Sequence, residues 1–114
     1  MKSKILALSK NEEFKKLIQQ RKVSNKYVTI FFGYLNNKNK NRLNISFVTK
    51  KKIGNAVRRN KIKRRLRNIM SDAYKKISIN SRYSYLVIAK PTMLKNEFKI
   101  IKETLFQEFS KIKR

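Results

Sequence analysis

The sequence predicts an α+β protein, a small two-layer sandwich in which helices pack on one mixed sheet. Apolar residues recur at helical intervals in three places and alternate, β-branched and aromatic, in three others, in the order α-β-β-α-β-α. With only two Gly and one Pro among 114 residues, the chain has no linker and no repeat, so residues 1–114 are expected to form a single domain. The 40% hydrophobic content is enough for one modest core.

Ser9-Lys10-Asn11-Glu12 has the spacing of a capping box, and Phe14, Leu17 and Ile18 follow at helical intervals, which predicts a short helix over 10–20. Tyr27 to Leu35 reads as a strand, with Val28, Ile30, Phe32 and Tyr34 on one face and Tyr27, Thr29 and Phe31 on the other. Apolar groups on both faces place this strand in the sheet interior or under cover on each side. Asn36-Asn37-Lys38-Asn39-Lys40-Asn41 is a polar loop. Leu43, Ile45 and Phe47 alternate with Asn44, Ser46 and Val48 in a second strand.

Gly54-Asn55 supplies a break and an N-cap for a long helix reaching about Ile77. Tyr83 to Ala89 forms a third strand, stopped by Lys90-Pro91. Asn96 is the expected cap of a last helix whose stripe is Phe98, Ile101, Leu105, Phe109 and Ile112.

Charge narrows the function. Thirty-one Lys and Arg against six Asp and Glu give a net charge of +25. The chain repels itself, and a polyanion would relieve that repulsion. Histidine and cysteine are both absent, which excludes Cys/His zinc sites, thiol or Ser-His catalysis and disulfides. Tyr27 to Leu35 is too short to span a bilayer, and the first ten residues hold too few apolar groups for a signal peptide, so a soluble, cytoplasmic protein is expected.

The cations concentrate in residues 50–67. Lys50, Lys51, Lys52, Arg58, Arg59, Lys61, Lys63, Arg64, Arg65 and Arg67 occur there with no acid among them. At about 100° per residue, Ile62, Leu66, Ile69, Met70, Ala73 and Ile77 fall on one arc of the long helix, and Asn60, Lys61, Arg64, Arg67, Asn68 and Ser71 lie opposite. A solvated helix face normally carries Glu or Asp at i,i+4 from its cations, and here none is placed to pair. Arginine's fork suits phosphate, and Asn60 and Asn68 add hydrogen-bonding amides. Arg59 phases with the apolar arc, so it either occupies a frayed first turn or reaches across the sheet edge. No helix precedes the long one closely enough for a helix-turn-helix. Phe14, Tyr27 and Phe31 offer stacking rings beside the basic face, a combination that suits RNA with unpaired bases better than duplex DNA.

The run Lys51-Lys52-Ile53-Gly54-Asn55-Ala56-Val57-Arg58-Arg59-Asn60-Lys61-Ile62-Lys63-Arg64-Arg65-Leu66-Arg67 resembles the signature of the bacterial ribonuclease P protein subunit. Leu8 to Phe14, Leu86-Val87-Ile88-Ala89-Lys90-Pro91 and the C-terminal amphipathic helix agree in order, so the likeness covers nearly the whole chain. The resemblance implies an α-β-β-β-α-β-α order or a close variant, with a left-handed β-α-β crossover and a fold related to a ribosomal-protein domain. It implies a catalytic RNA subunit and precursor tRNA as partners, Mg²⁺ bound mainly by that RNA, and removal of the tRNA 5′ leader. It places Arg59, Asn60, Lys63, Arg64 and Arg67 against RNA near the active site, with Lys51, Lys52, Arg58, Lys61 and Arg65 in the same basic surface. Phe14, Ile18 and Phe31 line its leader cleft. Two positions depart from the family pattern. Lys61 stands where a second arginine is usual, keeping the charge without the planar fork, and Ile18 replaces a frequent aromatic.

Protein-borne two-metal hydrolysis needs converging carboxylates, and the chain has only Glu12, Glu13, Asp72, Glu97, Glu103 and Glu108. Glu12 and Glu13 open one helix, Glu103 and Glu108 fall on the outer surface of another, and no catalytic or metal-binding residue is assigned. Small-anion binding is expected from the surplus charge; membrane and DNA partners are not. A purely structural RNA binder would share the charge but not the pairing of Phe14 and Phe31 with the Arg59-Asn60 helix. A basic membrane-surface protein would carry a greasier apolar arc.

Overall fold

The computed structural model describes residues 5–6, 8, 12–35, 43–77, 79–80, 82–95 and 97–112. Its elements are β1 (Ile5–Leu6), α1 (Glu12–Ile18), β2 (Arg21–Ser24), β3 (Val28–Gly33), β4 (Leu43–Val48), α2 (Ala56–Lys76), β5 (Ser84–Ala89) and α3 (Phe98–Lys111). A 3-10 turn at Lys51–Ile53 precedes α2, and another at Pro91–Leu94 follows β5. The strands form one mixed sheet in the order β1-β4-β5-β3-β2. β4 and β5 are parallel neighbours joined through α2, β3 runs antiparallel to β5, and β2 runs antiparallel to β3.

β3 lies between two strands and is covered on both faces of the sheet, and that cover is why both its faces are apolar. Val28, Ile30 and Phe32 join the main core with Leu43 and Ile45 of β4, Tyr85 and Val87 of β5, Ile62, Leu66, Ile69 and Met70 of α2, and Ile101, Leu105 and Phe109 of α3. Phe31 points the other way, into a second cluster built on Leu8, Leu17 and Leu86 under α1. The expected two-layer sandwich is therefore corrected to three layers, with α1 on one sheet face and α2 and α3 on the other.

Aromatic rings fill one end of the main core. Tyr85 meets Phe109 at 5.5 Å between centroids, and Tyr83 meets Phe32 at 5.4 Å. The Tyr85 hydroxyl donates to Asn80 O at 2.8 Å. Burial, with Tyr83 and Tyr34 close by, pushes its pKa well above the ordinary tyrosine value, so it stays a donor.

Three expectations change. Residue patterning did not show β2, although the resemblance implied one more strand before the long helix: Arg21-Lys22-Val23-Ser24 has one apolar residue, and it is an edge strand that gains its ladder from β3 rather than from burial. Tyr27 precedes the strand, is only 3% exposed, and belongs to the main core, so it offers no stacking surface. Its position follows from the tight turn before β3, where Asn25 Oδ1 accepts from Tyr27 N at 2.8 Å and Val28 N at 3.0 Å. The N-cap of α3 is Glu97, without a side-chain capping bond. Asn96, like Ser9 to Asn11 of the expected capping box and the Asn36 to Asn41 loop, lies outside the described residues.

Gly54 links the 3-10 turn to α2 at φ 151°, ψ −165°, a region essentially restricted to glycine. A Cβ there would also stand 2.9 Å from Arg58 Cδ. Gly54→Ala is expected to lower stability by about 1–3 kcal/mol. Urea unfolding checks this, and an unchanged midpoint would contradict it.

Candidate RNA-binding face and leader cleft

Asn55 caps α2, its Oδ1 accepting from Arg58 N at 3.0 Å. From that start the helix turns its two sides as the periodicity requires. Ile62, Leu66, Ile69, Met70 and Ala73 are buried, whereas Asn60, Lys61, Lys63, Arg64, Arg67, Asn68 and Ser71 are exposed. Asn60, Lys63, Arg64 and Arg67 line a shallow groove of about 540 Å³ with Val57, which is 73% exposed. The seven steps from Asn60 to Arg67, at about 1.5 Å rise each, spread this row over about 10 Å of helix.

Lys50, Lys51, Lys52 and Arg58 are exposed at the approach to α2, and Arg65 is half-buried. Arg59 N donates to Asn55 O at 3.0 Å, so Arg59 sits in regular helix and not in a frayed turn. Its side chain is laid against the protein, with Nε buried and making no hydrogen bond.

The second site lies across the sheet. Leu17 is buried between α1 and the strands, and Phe14, Phe31, Leu35, Val48 and Ile88 surround its cluster as half-buried groups. The structure thus brings Phe14 and Phe31 together. Ile18 is 51% exposed at the end of α1. Sequence reading missed the polar flank of this face: Thr29 shares the Phe31 face, Ser24 Oγ and Thr29 Oγ1 are 3.2 Å apart, and Lys90 Nζ donates to Ser24 Oγ at 2.8 Å. Thr29 was legible in the alternation of β3. Ser24 and Lys90 were not, because β2 brings the one and the pairing of β5 with β3 the other.

The acids do not converge. Asp72 accepts from Lys102 and ties α2 to α3; that hydrogen bond, then the ammonium charge, holds its carboxyl below the usual range. Glu108, expected on the outer surface, is half-buried and accepts from Asn25 Nδ2 at 3.1 Å, joining α3 to the β2–β3 turn. Among the described residues no three His, Cys, Asp or Glu form a group able to hold a metal. No helix among them is long and apolar enough to cross a membrane.

A one-sided cationic helix on an α+β core, with half-buried aromatic residues on the far face of the sheet, defines a small RNA-binding protein. The Ribonuclease P family model matches residues 3–113. The ribonuclease P protein component of Carboxydothermus hydrogenoformans is 32% identical over 111 residues, covering 94% of this chain and 90% of that protein. That of Mesoplasma florum is 36% identical over 98 residues, covering 86% of each. The solved RNase P protein of Staphylococcus aureus matches with TM-score 0.70 at 28% identity, covering 93% of this chain and 95% of that one. The Thermotoga maritima protein matches in fold, with TM-score 0.79 at 22% identity over 96% of this chain and 99% of that one.

The chain belongs to the ribonuclease P protein family. Members act with an RNA subunit on precursor tRNA, and the Mg²⁺-dependent holoenzyme removes the 5′ leader while the protein subunit is non-catalytic.

Proposed function

We propose that the exposed face of α2 binds the catalytic RNA, and that the Phe14–Phe31 face across the sheet binds the unpaired leader of precursor tRNA. The observation that carries this reading is the segregation on α2: a buried apolar arc, and opposite it a row of cations and amides with no carboxylate to neutralise it. Arg59, Asn60, Lys63, Arg64 and Arg67 lie nearest the reaction, Arg64 and Arg67 as forked phosphate ligands and Asn60 as a hydrogen-bonding amide. Lys51, Lys52, Arg58 and Arg65 widen the surface, and Lys61 adds a point charge. The described acids do not converge; Mg²⁺ would be held mainly by the RNA, where it would supply the hydrolytic chemistry, and this chain holds and orients the leader.

Phe14 and Phe31 supply rings for bases, Ile18 an apolar edge without stacking, and Lys90 with Ser24 and Thr29 a polar flank for the backbone. The same cationic face takes small anions, and the protein works in the cytoplasm as one RNA-binding domain over residues 1–114, without DNA as a partner.

Reconstitution tests the reading. With a bacterial ribonuclease P RNA and 5′-labelled precursor tRNA at low millimolar Mg²⁺, correct cleavage is expected only when both components are present. RNA binding without any effect on cleavage would overturn it. Phe31→Ala is expected to weaken precursor binding by the equivalent of one base–aromatic stack, about 1–3 kcal/mol, and to leave mature tRNA binding nearly unchanged. Equal losses on both ligands would make Phe31 a core residue only.

A further inference from the structure

One side chain ties the end of α1 to the end of β3. Lys16, Gln19, Gln20, Tyr34 and Leu35 line a shallow groove of about 370 Å³ between the two, and the Gln20 amide bridges it. Gln20 Nε2 donates to Lys16 O in the last turn of α1 at 3.4 Å and to Tyr34 O, just past β3, at 3.3 Å. Gln20 N donates to Leu17 O at 3.0 Å.

The amide has room because residue 33 is glycine. Gly33 ends β3 with its φ outside the left-handed region, so space and not backbone strain requires glycine there. A Cβ on residue 33 would stand 1.9 Å from Gln20 Oε1 and 2.4 Å from its Cδ. Residues 31 and 33 point to the same face of the sheet. The Gln20 amide therefore lies on the face that carries Phe31 and the cluster under α1.

α1 needs such a tie. Its seven residues are too few for a helix stable on its own, Leu17 is its buried residue, and its last carbonyls lack partners within the helix. Gln20 satisfies Lys16 O and Leu17 O and fastens the turn that carries them to the sheet. Phe14 rides on the same two-turn helix, and Leu35, next to Tyr34, packs with Phe14 and Phe31 on one cluster. Where α1 is held thus decides where Phe14 stands relative to Phe31.

We propose that Gln20, seated on Gly33, is a positioning residue for the leader: it fixes α1 over the sheet so that Phe14 and Phe31 are set before the leader arrives. This rests on the leader-cleft reading. The gain is preorganisation, since a leader bound to a loosened helix must also order that helix. The tie is remote from the cationic helix. Gly33 pairs with Ser84, at the opposite end of β5 from Ile88, whose β4 partner Val48 leads into the turn before α2.

The test is equilibrium binding of the reconstituted holoenzyme to precursor and to mature tRNA, with assembly on the RNA subunit measured alongside. Gln20→Ala, Gln20→Met, Gly33→Ala, the Gln20→Ala/Gly33→Ala double variant and Phe31→Ala are compared with wild type, all well below their melting temperatures. Gln20→Ala is expected to weaken precursor binding about two- to tenfold, the range of one net hydrogen bond, and to leave mature tRNA binding and assembly unchanged. Gln20→Met keeps the length of the side chain but not its donors, so it loses as much. Gly33→Ala loses the same, because its methyl displaces the amide, and the double variant is no worse than either single one. Wild-type affinity in Gln20→Met, additive losses in the double variant, or equal loss on mature tRNA overturns the proposal. If Phe31→Ala leaves precursor binding intact, the leader-cleft reading itself fails. If Phe31→Ala weakens it and Gln20→Ala does not, only the positioning role fails.

Discussion

Replacing Lys63, Arg64 and Arg67 together with alanine is expected to weaken binding of the RNA subunit by about a thousandfold or more, with no fall in melting temperature. All three side chains are exposed and line one groove of α2. Charge-assisted hydrogen bonds contribute about 1.5–3 kcal/mol each, so three lost contacts reach at least about 4.5 kcal/mol, and every 1.4 kcal/mol is tenfold. Folding should not suffer, because the substitutions remove like charges from adjacent turns and leave the buried arc intact. The same variant should flatten the log–log salt dependence of RNA binding by about 2–3, since each phosphate neutralised contributes about 0.7–0.9. A salt titration of wild type and variant decides this. An unchanged slope would show that these cations face solvent and not phosphate.

Leu66→Ala is expected to be the most damaging single core substitution on the same helix, lowering stability by about 2–5 kcal/mol. Leu66 is fully buried among the sheet and helix residues of the main core, one position from cations on either side. Domains of this kind have about 5–15 kcal/mol in hand, and a net charge of +25 works against compaction. The variant should therefore be largely unfolded at low ionic strength and regain structure on addition of phosphate or polyphosphate. Anions that bind only the folded basic surface stabilise it by about 2.7 kcal/mol at a hundred times their Kd. Circular dichroism melts with and without phosphate measure both effects. A melting temperature indifferent to the anion would contradict anion binding, and a fully stable variant would contradict the packing of α2.

The long helix was legible because its information is local. Asn55 before Ala56, the arc of Ile62, Leu66, Ile69, Met70 and Ala73, and the unpaired cations opposite are all written within a single stretch of chain, and the structure places each where the 3.6-residue period puts it. β3, β4 and β5 were legible for the same reason, with a period of two. β2 escaped because Arg21 to Ser24 carries almost no apolar signal, and its order comes from hydrogen bonds to residues 29–32. Glu108 escaped because its partner, Asn25, is 83 positions away.

The sequence by itself determined the class of fold, the buried stripes of α2 and α3 and the central strands, the cationic face and the family, since periodicity, composition and a contiguous motif are properties of neighbouring residues. Tertiary structure alone decided that helices cover both faces of the sheet, that Tyr27 is sealed in the core while Phe14 and Phe31 pack on one cluster under α1, and that Tyr83, with Arg21 on it, backs an exposed Tyr34. Those relations depend on strand register and on which edge a short polar strand joins. They exist only once pairings distant in the chain have formed.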